Sequence, residues 1–316
     1  MRRVLISGGA GFVGSHVVDR MLREGDHVAV VDDFSTGRAA NLRRAAAAGL
    51  REEDVLCADI CAPECASWIR SWRPDIVMHL AAQASVARSV ACAAEDARVN
   101  ILGTLNVLDA AIQADVSKVV FASSGGTAYG EAPLEARPLS ESDVHRPVSP
   151  YGLSKATVSR YLALYDQLHG LTSTVLALGN VYGPRQGDGG TTGVVADFVS
   201  AIRSGTRPVL YGDGSKCRDF VYVADVADAF ARAAEQGDGE VLNIGTGTPT
   251  SIGCLLTVVC ELMGVGVAAE YRPDQPGEVH FSALDPTRAG RVLGWYPQVS
   301  LPEGVDRVIR AATVDD

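Results

Sequence analysis

A chain of 316 residues, 47% hydrophobic and 21% charged, is long enough to bury a full core and to pack two lobes. Its formal net charge of −10, with no basic block to offset it, argues against a nucleic-acid or anionic-membrane partner. Seven cysteines, an odd number, make no disulfide framework, and no apolar run reaches membrane-spanning length.

Met1-Arg2-Arg3 runs straight into Val4-Leu5-Ile6, which is no signal peptide, so a cytoplasmic protein is expected. In chain order, Val4–Ser7 reads as a strand, Gly11–Glu24 as a helix with an apolar stripe, and Val28–Asp32 as the next strand. Ala39–Ala48 reads as an alanine-rich helix. Asp54–Cys57, Ile76–Leu80, Val119–Ser123 and Thr174–Leu178 are further buried-type strands, each followed by a helix or turn. This alternation predicts a Rossmann-type α/β fold, a doubly wound parallel sheet over residues 1–180. Regularity then falls. Residues 183–190 read as a loop, Arg218–Val223 and Val241–Ile244 as strands, and the tail as turn-rich. A smaller, mixed α/β substrate-binding lobe is expected from 181–218 and 248–316, with the chain returning to the first domain around 219–247.

Gly8, Gly11 and Gly14 lie between the first strand and the first helix. The first permits a tight turn, the second lets backbone approach a pyrophosphate, and the third lets the helix pack on the sheet. Helix N-terminal amides then face the phosphates, which suits so acidic a protein. Asp32 ends the second strand, where a carboxylate accepts both hydroxyls of a ribose. Asp32 and Asp33 would repel a 2′-phosphate, so NAD is favoured over NADP, with Arg38 as the counter-argument. Asp59-Ile60 after the third strand faces the adenine, and Leu80-Ala81-Ala82-Gln83 offers small residues where backbone meets cofactor. His79, inside an apolar strand, reads as a core histidine. Cys57, Cys61 and Cys65 recur every four residues without a paired Cys-x-x-Cys or a histidine, so no metal site is expected.

Tyr151 and Lys155 stand one helical turn apart, with Ser149-Pro150 opening the helix and Ser123-Ser124 ending the strand before it. A free tyrosine titrates near 10, so a general base must be brought down by about 3 pH units, roughly 4 kcal/mol. Lys155 and a positive nicotinamide ring can supply that jointly. The pair implies proton removal from an alcohol whose carbon gives up hydride.

These motifs occur in order with Asp32-Asp-Phe-Ser-Thr-Gly-Arg38, Arg98-Val-Asn100, Ser123-Ser-Gly-Gly-Thr-Ala-Tyr-Gly130, Asn180-Val-Tyr-Gly-Pro-Arg-Gln186, Arg218-Asp-Phe-Val-Tyr-Val223, Gly277-Glu278 and Leu293-Gly-Trp295. Over nearly its whole length the chain resembles the extended short-chain dehydrogenases/reductases of the NAD-dependent epimerase/dehydratase family, and most resembles bacterial UDP-glucose (UDP-galactose) 4-epimerases. The resemblance implies an isomerase acting at C4 through a transient 4-keto sugar, with Tyr151 as base. NAD would be held by Gly8, Gly11, Phe12 and Val13, and by Asp32, Asp33, Phe34, Ser35, Thr36 and Gly37. It would also meet Asp59 and Ile60, Leu80 to Gln83, Asn100, Ala122, Ser123, Tyr151, Lys155 and Val181. The UDP-sugar would meet Ser85, Val86, Thr127, Tyr151 and Asn180. Val194, Val209 and Tyr211 would line the uridine pocket, with Arg218, Arg272 and Glu278 near the phosphates. Ser282 would stand beside the C2 substituent. A homodimer through the helices near Asn100–Ala114 and Tyr151–His169 is implied too.

Three positions depart from the pattern. Gly125 stands where many members carry the catalytic Ser or Thr, so Ser124 or Thr127, the latter slightly favoured, must supply the hydroxyl, or backbone amides take its place. Gln275 replaces a phosphate-binding arginine, with Arg272 as substitute, and Ala177 replaces an arginine before the Asn180 segment. The acidic pair of sugar 4,6-dehydratases is absent at Gly125-Gly126, and Gly187 offers no cation for a C6 carboxylate, so a neutral hexose fits better. The alternatives are a UDP-N-acetylhexosamine 4-epimerase or another sugar-modifying relative and, more remotely, a non-catalytic NAD-binding regulator.

Overall fold

The computed structural model describes residues 1–131, 137–187 and 193–314. Its first half alternates strand and helix: β1 (Arg3–Ser7), α1 (Phe12–Arg23), β2 (His27–Asp32), α2 (Arg43–Ala47), β3 (Val55–Cys57), α3 (Pro63–Trp72) and β4 (Ile76–His79). Then come α4 (Val86–Ala91), α5 (Ala93–Ala97), a π-helical turn at Arg98–Gly103, α6 (Thr104–Gln113), β5 (Lys118–Ser124), α7 (Gly125–Ala128), α8 (Pro150–His169) and β6 (Thr172–Leu178). The alanine-rich 39–48 stretch divides into a 3-10 turn, Ala39–Leu42, followed by α2.

Strand side chains alternate between two apolar clusters, and this alternation covers both faces of the sheet. Val4, Ile6, Val28, Val30, Ile76 and Met78 enter one cluster with α1, while Leu5, Ala29, Val31 and Val77 enter the other with α3, α6 and α8. The sheet has seven strands, all parallel, in the order β10-β6-β5-β4-β1-β2-β3, where β10 is Val241–Ile244. Between β4 and β1 the winding reverses. A ligand crevice belongs at the C-terminal strand ends beside that point.

After β6 the chain forms β7 (Asn180–Tyr182), α9 (Val194–Arg203), β8 (Val209–Tyr211), β9 (Cys217–Tyr222) and α10 (Val223–Ala233). Past β10 lie β11 (Pro249–Ser251), α11 (Ile252–Met263), β12 (Glu270–Arg272), α12 (Thr287–Leu293) and α13 (Leu301–Val314). Strands β11, β9 and β7 make one small sheet and β12 with β8 another. Their own core joins Phe198, Leu210, Phe220, Leu255, Val259 and Val305. The tail is more helical than expected: α12 and α13 flank the Leu293-Gly294-Trp295 turn, whose indole is fully buried and donates to the Asp225 carbonyl at 2.8 Å. Of the loop expected at 183–190, residues 188–190 lie outside the described residues.

Candidate active site

A cavity of about 770 Å³ opens at the C-terminal ends of the strands around the reversal point. The glycine turn forms its floor. Gly8, Gly11, Phe12, Val13 and Gly14 line it, and α1 starts at a glycine cap, so its first amides face the cavity without a capping side chain. A Cβ on Gly14 would lie 2.0 Å from the Gly8 carbonyl oxygen, so backbone closes where a side chain would sit.

Asp32, Asp33, Ser35 and Thr36 line one end of the cavity with Asp59 and Ile60. Asp32 accepts the Ala10 and Phe34 amides, each at 2.9 Å. Burial pushes its carboxyl upward in pKa, and these N–H groups oppose that shift. A carboxylate oxygen retains lone pairs for ribose hydroxyls after one such bond. Phe34 and Gly37 stand behind this wall. Phe34 packs on the core at φ 56°, and Gly37 lies against the Asp32 carboxylate.

Leu80, Ala81, Ala82, Gln83 and Ser85 continue the lining, as do Ala122, Ser123, Ser124 and Val181. Asn100 is buried behind them: its Oδ1 accepts the Gln83 amide and its Nδ2 donates to the Gln83 carbonyl, both at 2.9 Å. His79 is fully buried, with one ring nitrogen 2.6 Å from Ser7 Oγ and the other 2.9 Å from Thr104 Oγ1. Burial holds it neutral, its pKa lowered to about 3. It is a core histidine.

At the inner end, Ser149 caps α8 by accepting the Gly152 amide at 3.2 Å, and Pro150 occupies the first turn. This start aims Tyr151 and Lys155 into the cavity. Lys155 donates to the Ala122 carbonyl at 2.9 Å, and its Nζ is 5.8 Å from the centre of the Tyr151 ring. Desolvation lowers the Lys155 pKa to about 8 and raises Tyr151 to about 12, while a hydrogen bond with Ser124 pulls Tyr151 back. Thr127 Oγ1 donates to Ser124 Oγ at 2.9 Å. Of the two candidate hydroxyls, Ser124 meets the phenol and Thr127 stands one step behind it. A Cβ on Gly125 would fall 2.5 Å from Leu284 Cδ1, so Leu284 occupies the room a serine would need there.

The remaining candidates gather beyond the cavity. Val86 begins α4, Asn180 begins β7, and a Cβ on Gly126 would lie 3.4 Å from Asn180 Oδ1 and 3.5 Å from Ser282 Oγ. Ser282 is buried and its hydroxyl has no partner among the described residues. Val194 opens α9, and Val209 and Tyr211 lie on β8, where Tyr211 pairs with Arg272 of β12. Arg272 is exposed and bonded to Glu270 at 2.7 Å. Arg218, its side chain 12% exposed, lies 3.6 Å from Glu278. Next to it Asp219 is fully buried and accepts from Thr246, Gly247 and Leu284, which ties β9 to the Ser282 segment.

A fold with its winding reversed beside a glycine turn, an acidic strand end and a Tyr–Lys pair in one cavity is matched in sequence over residues 4–245 by the NAD dependent epimerase/dehydratase family. The chain belongs to that family. It is 43% identical over 308 residues, 97% of both chains, to a UDP-glucose 4-epimerase of Mycolicibacterium smegmatis. Its fold is similar to a Thermotoga maritima UDP-glucose 4-epimerase crystallised with UDP-glucose, at TM-score 0.92 and 41% identity over 99% of both chains. A Thermus thermophilus UDP-glucose 4-epimerase in complex with NAD gives TM-score 0.89 and 40% identity over 98% of both.

An NAD-dependent member needs a place for the dinucleotide, and the glycine cradle, the open helix terminus and the acidic strand end fit one. Nucleotide released by denaturing the purified protein should be NAD by mass; NADP as the main species would mean that Arg38 outweighs Asp32 and Asp33.

Several neighbours in this epimerase/dehydratase site escaped the sequence reading. Arg98 bridges Asp59 and Glu95, each at 3.0 Å, along the cavity rim. Lys216 bonds Asp274 at 2.8 Å and Glu278 at 2.9 Å, so the cation beside the turn that carries Gln275 is Lys216, with Arg272 turned to Glu270. Glu131 accepts the His280 and Phe281 amides and so holds the stretch before Ser282. Lys216 and Glu131 are single charged residues whose partners are distant in sequence, as Asp59 is from Arg98, and no local pattern reports such contacts. Among the described residues no three His, Cys, Asp or Glu side chains gather as metal ligands, and no helix is long and apolar enough to cross a membrane.

Proposed function

We propose that this protein is an NAD-dependent UDP-sugar 4-epimerase that interconverts UDP-glucose and UDP-galactose. One juxtaposition carries the reading: Tyr151, bonded to Ser124 and backed by Lys155, faces a cavity whose far end is Asp32. Full-length identity above 40% to UDP-glucose 4-epimerases supports the choice of substrate.

Bound NAD⁺ supplies the hydride acceptor and a positive ring. Tyr151 takes the proton of the sugar 4-hydroxyl as hydride leaves C4, and returns it once hydride has come back to the opposite face of the 4-keto sugar. Lys155, charged at neutral pH, stabilises the phenolate. Ser124, steadied by Thr127, holds the 4-oxygen beside Tyr151. Arg218 and Lys216 place positive charge for the pyrophosphate, Arg272 and Glu278 flank it, and Val194, Val209 and Tyr211 cover the uridine. Asn180 reaches the sugar–phosphate link, with Ser85 and Val86 at the sugar. The domain division follows: residues 1–180 with the returning β10 and α10 hold the cofactor, and 181–218 with 248–316 hold the nucleotide sugar.

In this reading the small side chain of Ser282, buried beside Gly126, stands at the C2 position and leaves room that a bulky residue would fill. Room alone adds little, since one group is worth about 1–3 kcal/mol in such a pocket. UDP-N-acetylglucosamine is therefore expected to be a weaker second substrate when the protein is incubated with a panel of nucleotide sugars and the products are separated. Ser282→Tyr should remove the N-acetyl activity and spare the plain hexoses. Equal loss of both would place Ser282 away from C2.

The protein acts as a homodimer in this reading. Leu153, Leu164 and Leu168 are exposed along one side of α8, and Leu102 is exposed on the π turn packed beside it. Light scattering should give twice the chain mass at micromolar concentration; a monomer would reject the pairing. All seven cysteines are free thiols, which suits the cytoplasm.

A further inference from the structure

We propose that Asp96 is a positioning residue of the Tyr151–Lys155 pair: a buried carboxylate, held through Ser154 on the helix that carries both, whose charge sets how readily they give and take a proton. The inference rests on the epimerase reading for the reaction it tunes. Asp96 sits in α5, which packs against α8, and is fully buried. One oxygen accepts from Ser154 Oγ at 2.5 Å, and the other from Gln83 Nε2 and Asn100 Nδ2, each at 3.0 Å. All three donors are neutral. Its charge is therefore solvated by hydrogen bonds but cancelled by none of them, and it acts across the packed interface of α5 and α8.

The two groups it acts on are the catalytic ones. Asp96 supports the Lys155 ammonium against the desolvation that lowers it, and opposes the Tyr151 phenolate. An epimerase base must return its proton as readily as it takes it. A phenol made too acidic by a lysine and a cationic ring would hold the phenolate and fail the second half of the cycle. The carboxylate restores that balance.

The other ionisable groups around this interface are accounted for. His79 on β4 is neutral and bonded at both ring nitrogens. Glu95 on α5 pairs with Arg98 on the π turn, Arg98 also pairs with Asp59, and Arg88 on α4 lies 4.0 Å from Glu95. Lys118, at the start of β5, is bonded to Asp238.

The test is the pH profile of kcat for the NAD-loaded full chain and for Asp96→Asn. The limbs belong to the coupled pair rather than to one residue. Removing the charge makes the phenol more acidic and the ammonium easier to lose, so both limbs should move down by about one pH unit. A rate loss with both limbs unmoved, or limbs that move apart or up, would overturn the proposal and leave Asp96 a packing residue. Tyrosinate absorbance of the same proteins, taken against Tyr151→Phe to subtract the other tyrosines, reads the phenol without any substrate. If the parent epimerises no UDP-sugar, the functional reading fails while this titration still decides the role of Asp96. Should Asp96→Asn not fold, Ser154→Ala decides: stripped of its shortest hydrogen bond, the carboxylate bears more heavily on Tyr151 and the acidic limb rises. An unmoved or lowered limb in that variant would overturn the proposal.

Discussion

Tyr151→Phe is expected to lower kcat by about 10²–10⁴-fold, the usual contribution of a positioned acid–base group. The substitution removes one hydroxyl and keeps the ring, so packing at the start of α8 and the Ser149 cap are untouched. The loss should appear in kcat with little change in KM, because the hydroxyl matters most where the proton is in flight. Bound NAD and thermal stability should match the parent. Ser124→Ala is expected to follow with a smaller loss, since Ser124 meets the phenol, and Thr127→Ala with a smaller one still. Activity of Tyr151→Phe within about threefold of the parent would remove Tyr151 from the role of base, against the contribution expected of such a group.

Gly14→Ala should cost the protein its cofactor. The added methyl would lie 2.0 Å from the Gly8 carbonyl oxygen and 2.9 Å from the Gly9 Cα, both backbone, so neither can swing aside. Either α1 or the glycine turn must move, and the amides that would hold a pyrophosphate move with it. Overpacking of this kind costs about 1–3 kcal/mol, which predicts a rise of about 5–150-fold in the Kd for NAD if the turn absorbs it. Gly266→Ala is the control: no atom lies within 4 Å of its added methyl, so NAD retention should be unchanged. Equal retention in both variants, measured by released nucleotide per chain, would show that the turn does not hold the cofactor.

The first lobe was legible because its signals are local. Strands β1, β2 and β4 are unbroken apolar runs, α1 shows its stripe, and the glycines fall between strand and helix, so each boundary was met to within a residue or two. The site was legible where a motif names a residue whose partner is close in sequence, as with Tyr151, Lys155 and Ser149. Asp96 was not. In Ala93-Ala-Glu-Asp-Ala97 it reads as one acid of a solvated helix, and only the packing of α5 on α8 buries it. Lys216 and Glu131 were missed for the same reason, since their partners lie far along the chain. In the tail, α11 is apolar on most sides and α13 carries its stripe among charged residues, next to the turns around Asp274 and Leu293 that make the segment read as turn-rich, so neither helix is assigned from the sequence.

The most direct measurement follows UDP-galactose, labelled with deuterium at C4, incubated with the purified protein and no added nucleotide. An epimerase that removes and returns the same hydride should yield UDP-glucose with the label still at C4, at the mixture reached from UDP-glucose as well. No conversion, or conversion with the label lost to solvent, would contradict the account.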